Sequence, residues 1–168
     1  RMVIQTIALR APMADDLREL VAALKISGVV ERIGDYAKNI AKRVLLIDAD
    51  QQIDAARLLP AMADATRQLV DDAFTAFAKR DADLAVAVCA QDKTVDDFYN
   101  SIFRALIAHM IDNPEHVGAG THLLFIAKNL ERIGDHATNV AEMVYFAVMG
   151  QSMNERERGD DALAPGSD

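Results

Sequence analysis

The 168 residues carry 18 Lys and Arg against 26 Asp and Glu, a formal net charge of −8. That balance argues against nucleic acid as the main partner, because affinity for a phosphate backbone rests on clustered positive charge. No run approaches about 18 uncharged apolar residues and no basic, apolar leader opens the chain, so no membrane insertion is expected and a cytoplasmic protein is the default.

Hydrophobic residues make up 51% of the chain and aromatics only 5%, with no Trp, eight Gly and four Pro. This composition favours long helices packed through Ala, Leu, Ile and Val, and strand signals are nearly absent. Ile4, Ile7 and Ala8 already stand at helical spacing and position 1 is not Met, so the chain is expected to begin inside a helix, as a piece of a longer protein. That helix should end near Arg10, because Pro12 disfavours helical backbone at Ala11. A second helix is expected from Asp15, as N-cap, to about Ile47, roughly 45 to 50 Å at 1.5 Å per residue. Its apolar stripe reads Ile26, Val29, Ile33, Ala37, Ile40, Val44 and Ile47. A polar break over 48–54 precedes a third helix from about Pro60 to Lys79, carrying Met62, Leu69, Phe74 and Phe77. The fourth spans about Asp81 to Asp112, with Val88, Val95, Phe98, Ile102, Leu106 and Met110 inward. Asn113 and Pro114 then supply a stop, a cap and a first helical position. The fifth runs from about Glu115 to Met149, with Gly150 as its C-terminal stop. Residues 151–168 are charged and without apolar period, and are expected to be a disordered acidic tail. The single Cys89 fits a reducing compartment and a packing role.

Twelve residues occur twice. ERIGDYAKNIAK runs from Glu31 to Lys42 and ERIGDHATNVAE from Glu131 to Glu142, an offset of 131 − 31 = 100. Pro12 and Pro114 precede the two copies at similar distances, so each half places a proline turn before a long motif-bearing helix. Residues 50–150 hold a complete three-helix set. Residues 1–49 show only the last helix of such a set and the end of the one before.

Shared polar residues point to a shared site. Glu31, Asp35 and Asn39 fall on one side of a helix, as do Glu131, Asp135 and Asn139, roughly 160° from the centre of the apolar stripe. The carboxylates should therefore face outward or into a surface groove. Acids at i and i+4 repel, and Asp92 and Asp96 repeat the spacing on the helix that precedes the second motif. Antiparallel packing would bring the two pairs together as an oxygen-rich ligand set for a hard cation such as Mg, Ca or Fe(III). The bland alternative is a solvated helix face balanced by Arg32, Lys38, Lys128 and Arg132. Gly34 and Gly134 sit in helix interiors at a cost of about 1 kcal/mol each relative to Ala, for which close helix approach is the simplest compensation. His136 has Tyr36 as its counterpart and is read as packing, not shared chemistry. Gly134 stands three after Glu131, so the Glu-x-x-His of a ferritin-like di-iron site is absent. His109, His116 and His122 are read as structural or exposed, and there is no Gly-rich phosphate loop, Ser-centred elbow or Cys-His zinc spacing.

The duplicated E-R-x-x-D-x-x-x-N-[IV]-A motif, the Asp92 and Asp96 pair on the preceding helix and the proline turn between them resemble the PhoU family of phosphate-transport accessory and regulatory proteins. The resemblance covers about Arg1 to Met149. It implies an all-α fold of two tandem pseudo-symmetric three-helix bundles, the first incomplete here, in a homodimer. It further implies a regulator of phosphate homeostasis and not an enzyme. Such a regulator would act through the ATP-binding subunit of the phosphate ABC transporter and the phosphate-sensing histidine kinase. Multinuclear iron, or another divalent or trivalent metal, is implied on Asp92, Asp96, Glu131 and Asp135 in one bundle and on Glu31 and Asp35 in the other, with Asn39 and Asn139 as possible supports. The acidic helix that should face Glu31 and Asp35 would lie upstream of Arg1, which leaves that first site incomplete and its surface open to self-association. The rival readings are a metal-dependent phosphohydrolase, weakened by the lack of a visible base or phosphate grip, and a metal-free helical docking adaptor.

Overall fold

The computed structural model describes residues 2–10, 12–47 and 53–153. They form five α-helices: α1 (Met2–Arg10), α2 (Ala14–Val44), α3 (Leu59–Lys79), α4 (Ala82–Asp112) and α5 (Val117–Met149). Two 3-10 turns, Asp54–Leu58 and Pro114–His116, lead into α3 and α5, and no strand occurs among the described residues.

Proline, glycine and capping residues account for most boundaries. α1 stops at Arg10, before Pro12. α2 starts at Ala14, with Met13 and not Asp15 as an extended cap that makes no side-chain bond. Asp15 instead lies in the first turn, where its carboxylate faces the positive helix end and pairs with Arg18. The C-terminal end of α2 comes at Val44 and not Ile47, and the next residues unwind through Leu46 N–H and Ile47 N–H bonds to the carbonyls of Arg43 and Val44, at 2.9 and 3.3 Å. Of the expected polar break, 48–52 lies outside the described residues, and Asp54 already belongs to a 3-10 turn.

α3 ends on Arg80, which adopts a left-handed conformation (φ 55°) while Asp81 N–H reaches back to the Ala76 carbonyl at 2.9 Å. Asp81 then caps α4 by accepting from Leu84 N–H at 2.9 Å. Asn113 corrects an expectation. It does not cap α5; its side-chain amide donates to the His109 carbonyl at 3.0 Å and closes α4, and α5 proper begins at Val117 after the 3-10 turn. Gly150, at φ 73°, ends α5 as expected. Of the tail expected from 151, Met153 is only 4% exposed, and 154–168 lies outside the described residues.

α3, α4 and α5 pack together as a bundle, and α2 lies along the free side of α5 with α1 resting on α2. α5 is therefore flanked by three helices, which explains why Ala127, Ala137, Val140, Ala141 and Val144 are all buried along it. Met62, Leu69, Val88, Val95, Ile102 and Leu106 fill the bundle centre, each burial of a Leu or Val side chain contributing about 1.5–3 kcal/mol. The α2 stripe serves as core only in its first half. Ile26 and Val29 are buried, Ile33 and Ile40 half-buried, and Ala37 and Val44 exposed. Beyond Ile40 the stripe borders an apolar groove of about 490 Å³ shared with Leu59, Leu123 and Ile126.

Candidate functional site

α4 runs antiparallel to α5, and this brings the two acidic pairs to one place. Asp92 and Glu131 are half-buried in the groove between the helices, while Asp96 and Asp135 are exposed at its rim. Gly134 makes the approach possible. A Cβ built there would stand 2.8 Å from Asp92 Oδ1 and 3.5 Å from Val95 Cγ1, so the missing side chain is the space the Asp92 carboxylate occupies. Close approach thus compensates the second motif's glycine, whereas a Cβ on Gly34 would meet nothing within 4 Å.

The four acids act on one another. Burial, then the charges of Asp96, Asp135 and Glu131, push the Asp92 carboxyl from its ordinary 3.8 up to about 7. Asp96 and Asp135 are raised too, by burial first and by Glu131 next. Lys128 offsets part of this charge: its Nζ donates to Glu131 Oε1 at 2.6 Å and lies 5.0 Å from the centre of the Tyr99 ring. Glu131 Oε2 is buried with no hydrogen-bond partner among the described residues. An orphaned carboxylate oxygen beside three further acids matches the donor chemistry of a hard cation. In the side-chain positions present, however, no group of three or more His, Cys, Asp and Glu among the described residues converges to hold one. A shared ion would require the exposed Asp96 and Asp135 side chains to turn inward.

The first copy of the motif is placed differently. Glu31 and Asp35 are exposed on α2, and neither contributes to the raised carboxyls of the α4–α5 groove. Asn39 and Asn139 line two separate pockets, whose walls include none of the six acids of the two motifs and the Asp92 pair. His136 packs as expected: its ring stacks on Tyr36 with centroids 5.5 Å apart, so the one motif position filled by different aromatic types is where the two copies touch. Burial and the nearby Arg32 charge lower the His136 pKa, and its Nδ1 is buried without a partner among the described residues. His109 Nε2 and His116 Nδ1 lie 2.8 Å apart across the turn between α4 and α5. Sequence reasoning weighed Lys128 only as a surface counter-charge; its position three before Glu131 was the available signal for direct pairing. Tyr99 carried no signal, since its role depends on how α4 and α5 are rotated against each other.

Comparison with known proteins follows the same outline. The PhoU domain family matches residues 1–44 and 59–144. A "Phosphate-specific transport system accessory protein PhoU homolog" of Zymomonas mobilis subsp. mobilis is 50% identical over 164 residues, covering 98% of this chain and 69% of that protein. The protein of the same name from Caulobacter vibrioides is 45% identical, covering 98% of this chain and 72% of its own. The crystal structure of PhoU from Pseudomonas aeruginosa superposes with a TM-score of 0.83 at 34% identity, over 89% of this chain and 72% of that one. The phosphate transport system regulatory protein PhoU from Streptococcus pneumoniae gives 0.83 at 27% identity, over 91% and 72%.

Proposed function

The chain belongs to the PhoU family, and on that premise we propose that it regulates phosphate homeostasis as an accessory protein of phosphate-specific transport. The observation that carries this reading is identity of 40% or more, over nearly the whole chain, to relatives named for that role. In this reading it restrains uptake through the ATP-binding subunit of the transporter, keeps phosphate-starvation genes off through the sensor histidine kinase, and works as a non-enzymatic homodimer in the cytoplasm. No helix among the described residues is long and apolar enough to cross a membrane, which agrees with a peripheral partner.

The acid groove is proposed as a cation site. Asp92, Asp96, Glu131 and Asp135 would hold a multinuclear iron or another divalent or trivalent metal, with Glu31 and Asp35 as the corresponding first-copy positions. Support comes from the raised Asp92 carboxyl and the orphaned Glu131 Oε2. A hard cation bound there supplies positive charge that lets all four acids ionise together. The protein's own part is to bring Asp92 against Gly134 and to hold Glu131 through Lys128.

Two measurements test the proposal. Calorimetric titration of the purified protein with the transporter's ATP-binding subunit should show saturable binding, and its absence, together with unaltered transporter ATPase activity, would remove the regulatory reading. Metal content of protein prepared without chelator should be stoichiometric in the wild type and lost in Asp92→Ala/Asp135→Ala. No metal in either would leave the acids as a protein-docking surface.

A further inference from the structure

α2 and α5 run antiparallel and carry the two copies of the repeat, so the groove between them occurs twice, with residue n of one copy standing for residue n + 100 of the other. The antiparallel pairing is fixed by contacts along its length: Arg18 lies beside Gly150, Tyr36 on His136, and Arg43 on His122. Asn39 marks one groove and Asn139 its sister, and the duplication supplies an internal control for reading them.

The sister groove is smaller, at about 290 Å³, and mixed in charge. Arg18 and Lys25 share its wall with Glu142, Met143 and Phe146, and Met153 folds into it until only 4% of that residue remains exposed. The Asn39 groove has a volume of about 420 Å³ and is cationic. Lys42 stands where the sister has Glu142, and Arg43 where it has Met143; Arg132 adds a third cation, and no acid lines the wall among the described residues. In a chain with 26 acids against 18 bases this is against composition. Among the described residues, none of Lys42, Arg43 and Arg132 forms an ion pair with a carboxylate.

The guanidiniums are also held in place. Arg43 Nη1–H donates to His122 Nδ1 at 3.2 Å while its Cζ lies 3.9 Å from the Phe125 ring centre, and Arg132 Cζ lies 5.9 Å from the Tyr36 ring centre. Asn129, 8% exposed, forms part of the wall and donates to the Phe125 carbonyl at 2.5 Å. Three like charges around one concavity repel each other, and an anion with several oxygens relieves that repulsion. Planar guanidinium forks match tetrahedral oxyanions, and the volume exceeds what one oxyanion fills while lying in the range of small-molecule sites.

We infer that the Asn39 groove binds a small phosphate-bearing anion, through Lys42, Arg43 and Arg132. The site is separate from the acid groove and stands whether or not the regulatory reading does.

The test is calorimetric titration at constant ionic strength, in chelator, with inorganic phosphate, pyrophosphate and adenosine triphosphate as probes. Saturable binding of at least one is expected. It should weaken at least tenfold in Lys42→Glu/Arg43→Met, which installs the sister groove's residues, and stay within twofold in Arg18→Gln/Lys25→Gln. Saturation by inorganic phosphate identifies the free ion as ligand, and saturation only by the larger probes identifies a phosphorylated compound. Should the double variant fail to fold by circular dichroism, the exposed Lys42→Gln alone should weaken binding about threefold. No saturable binding by any probe, or equal loss from both pairs of substitutions, overturns the inference. So does binding of an acidic peptide when none of the three probes binds.

Discussion

Single residues decide whether the repeated motif is a site or a surface. Gly34 and Gly134 occupy the same motif position, yet only Gly134 has a neighbour against its α-carbon. Gly34→Ala should therefore stabilise the protein by about 0.5–1 kcal/mol through helix propensity alone. Gly134→Ala gains the same propensity but must displace the Asp92 carboxylate, so its urea midpoint should lie below that of Gly34→Ala. Asp92 gives a pH prediction. With its folded-state carboxyl raised to about 7, the native state holds the proton more tightly than the unfolded chain. The contribution of this group is neutral below about pH 4, where both states are protonated, grows unfavourable from there to about pH 7 while only the unfolded chain is ionised, and levels off above 7. Because the carboxyl is partly open to solvent, the effect at pH 8 is taken as about 1 kcal/mol. Metal-free Asp92→Asn should thus melt a few degrees above wild type at pH 8 and with it at pH 4.

Among the helices, punctuation was legible and partnership was not. Pro12, Asp81, Asn113 with Pro114, and Gly150 mark backbone constraints that act locally, which is why helix ends fall within a few residues of their expected places. The α2 stripe is covered only in part: periodicity identifies a face without saying what covers it, and Val44 is 54% exposed. The acids of the α4–α5 groove could be read because two sequence-local pairs sit on adjacent helices. The cationic groove could not, because its walls come from α2 and α5, far apart in the chain. Two substitutions measure what these elements contribute. Asp81→Ala removes the bond to Leu84 N–H and should cost about 1 kcal/mol. Leu69→Ala, at a position 2% exposed between α3 and its neighbours, should cost 2–5 kcal/mol by chemical denaturation.

At the scale of the molecule, charge is sorted by groove: carboxylates gather between α4 and α5, and cations with no carboxylate partner among the described residues gather in the Asn39 groove between α2 and α5. Added divalent or trivalent cation should raise the melting temperature more at pH 7.5 than at pH 5.5, since Asp92 must release its proton before it can serve as a ligand. An equal rise at both values would place the cation elsewhere. The Tyr36–His136 stack has a consequence for how such a chain evolves. Tyr36 and His136 are equivalent positions of the two copies, and they stack on each other where α2 crosses α5. A substitution at either position changes one side of that contact and leaves the other side to answer it. Substitutions at 36 and 136 should therefore be correlated across lineages, each answering the other, while those at 42 and 142, or 43 and 143, vary independently.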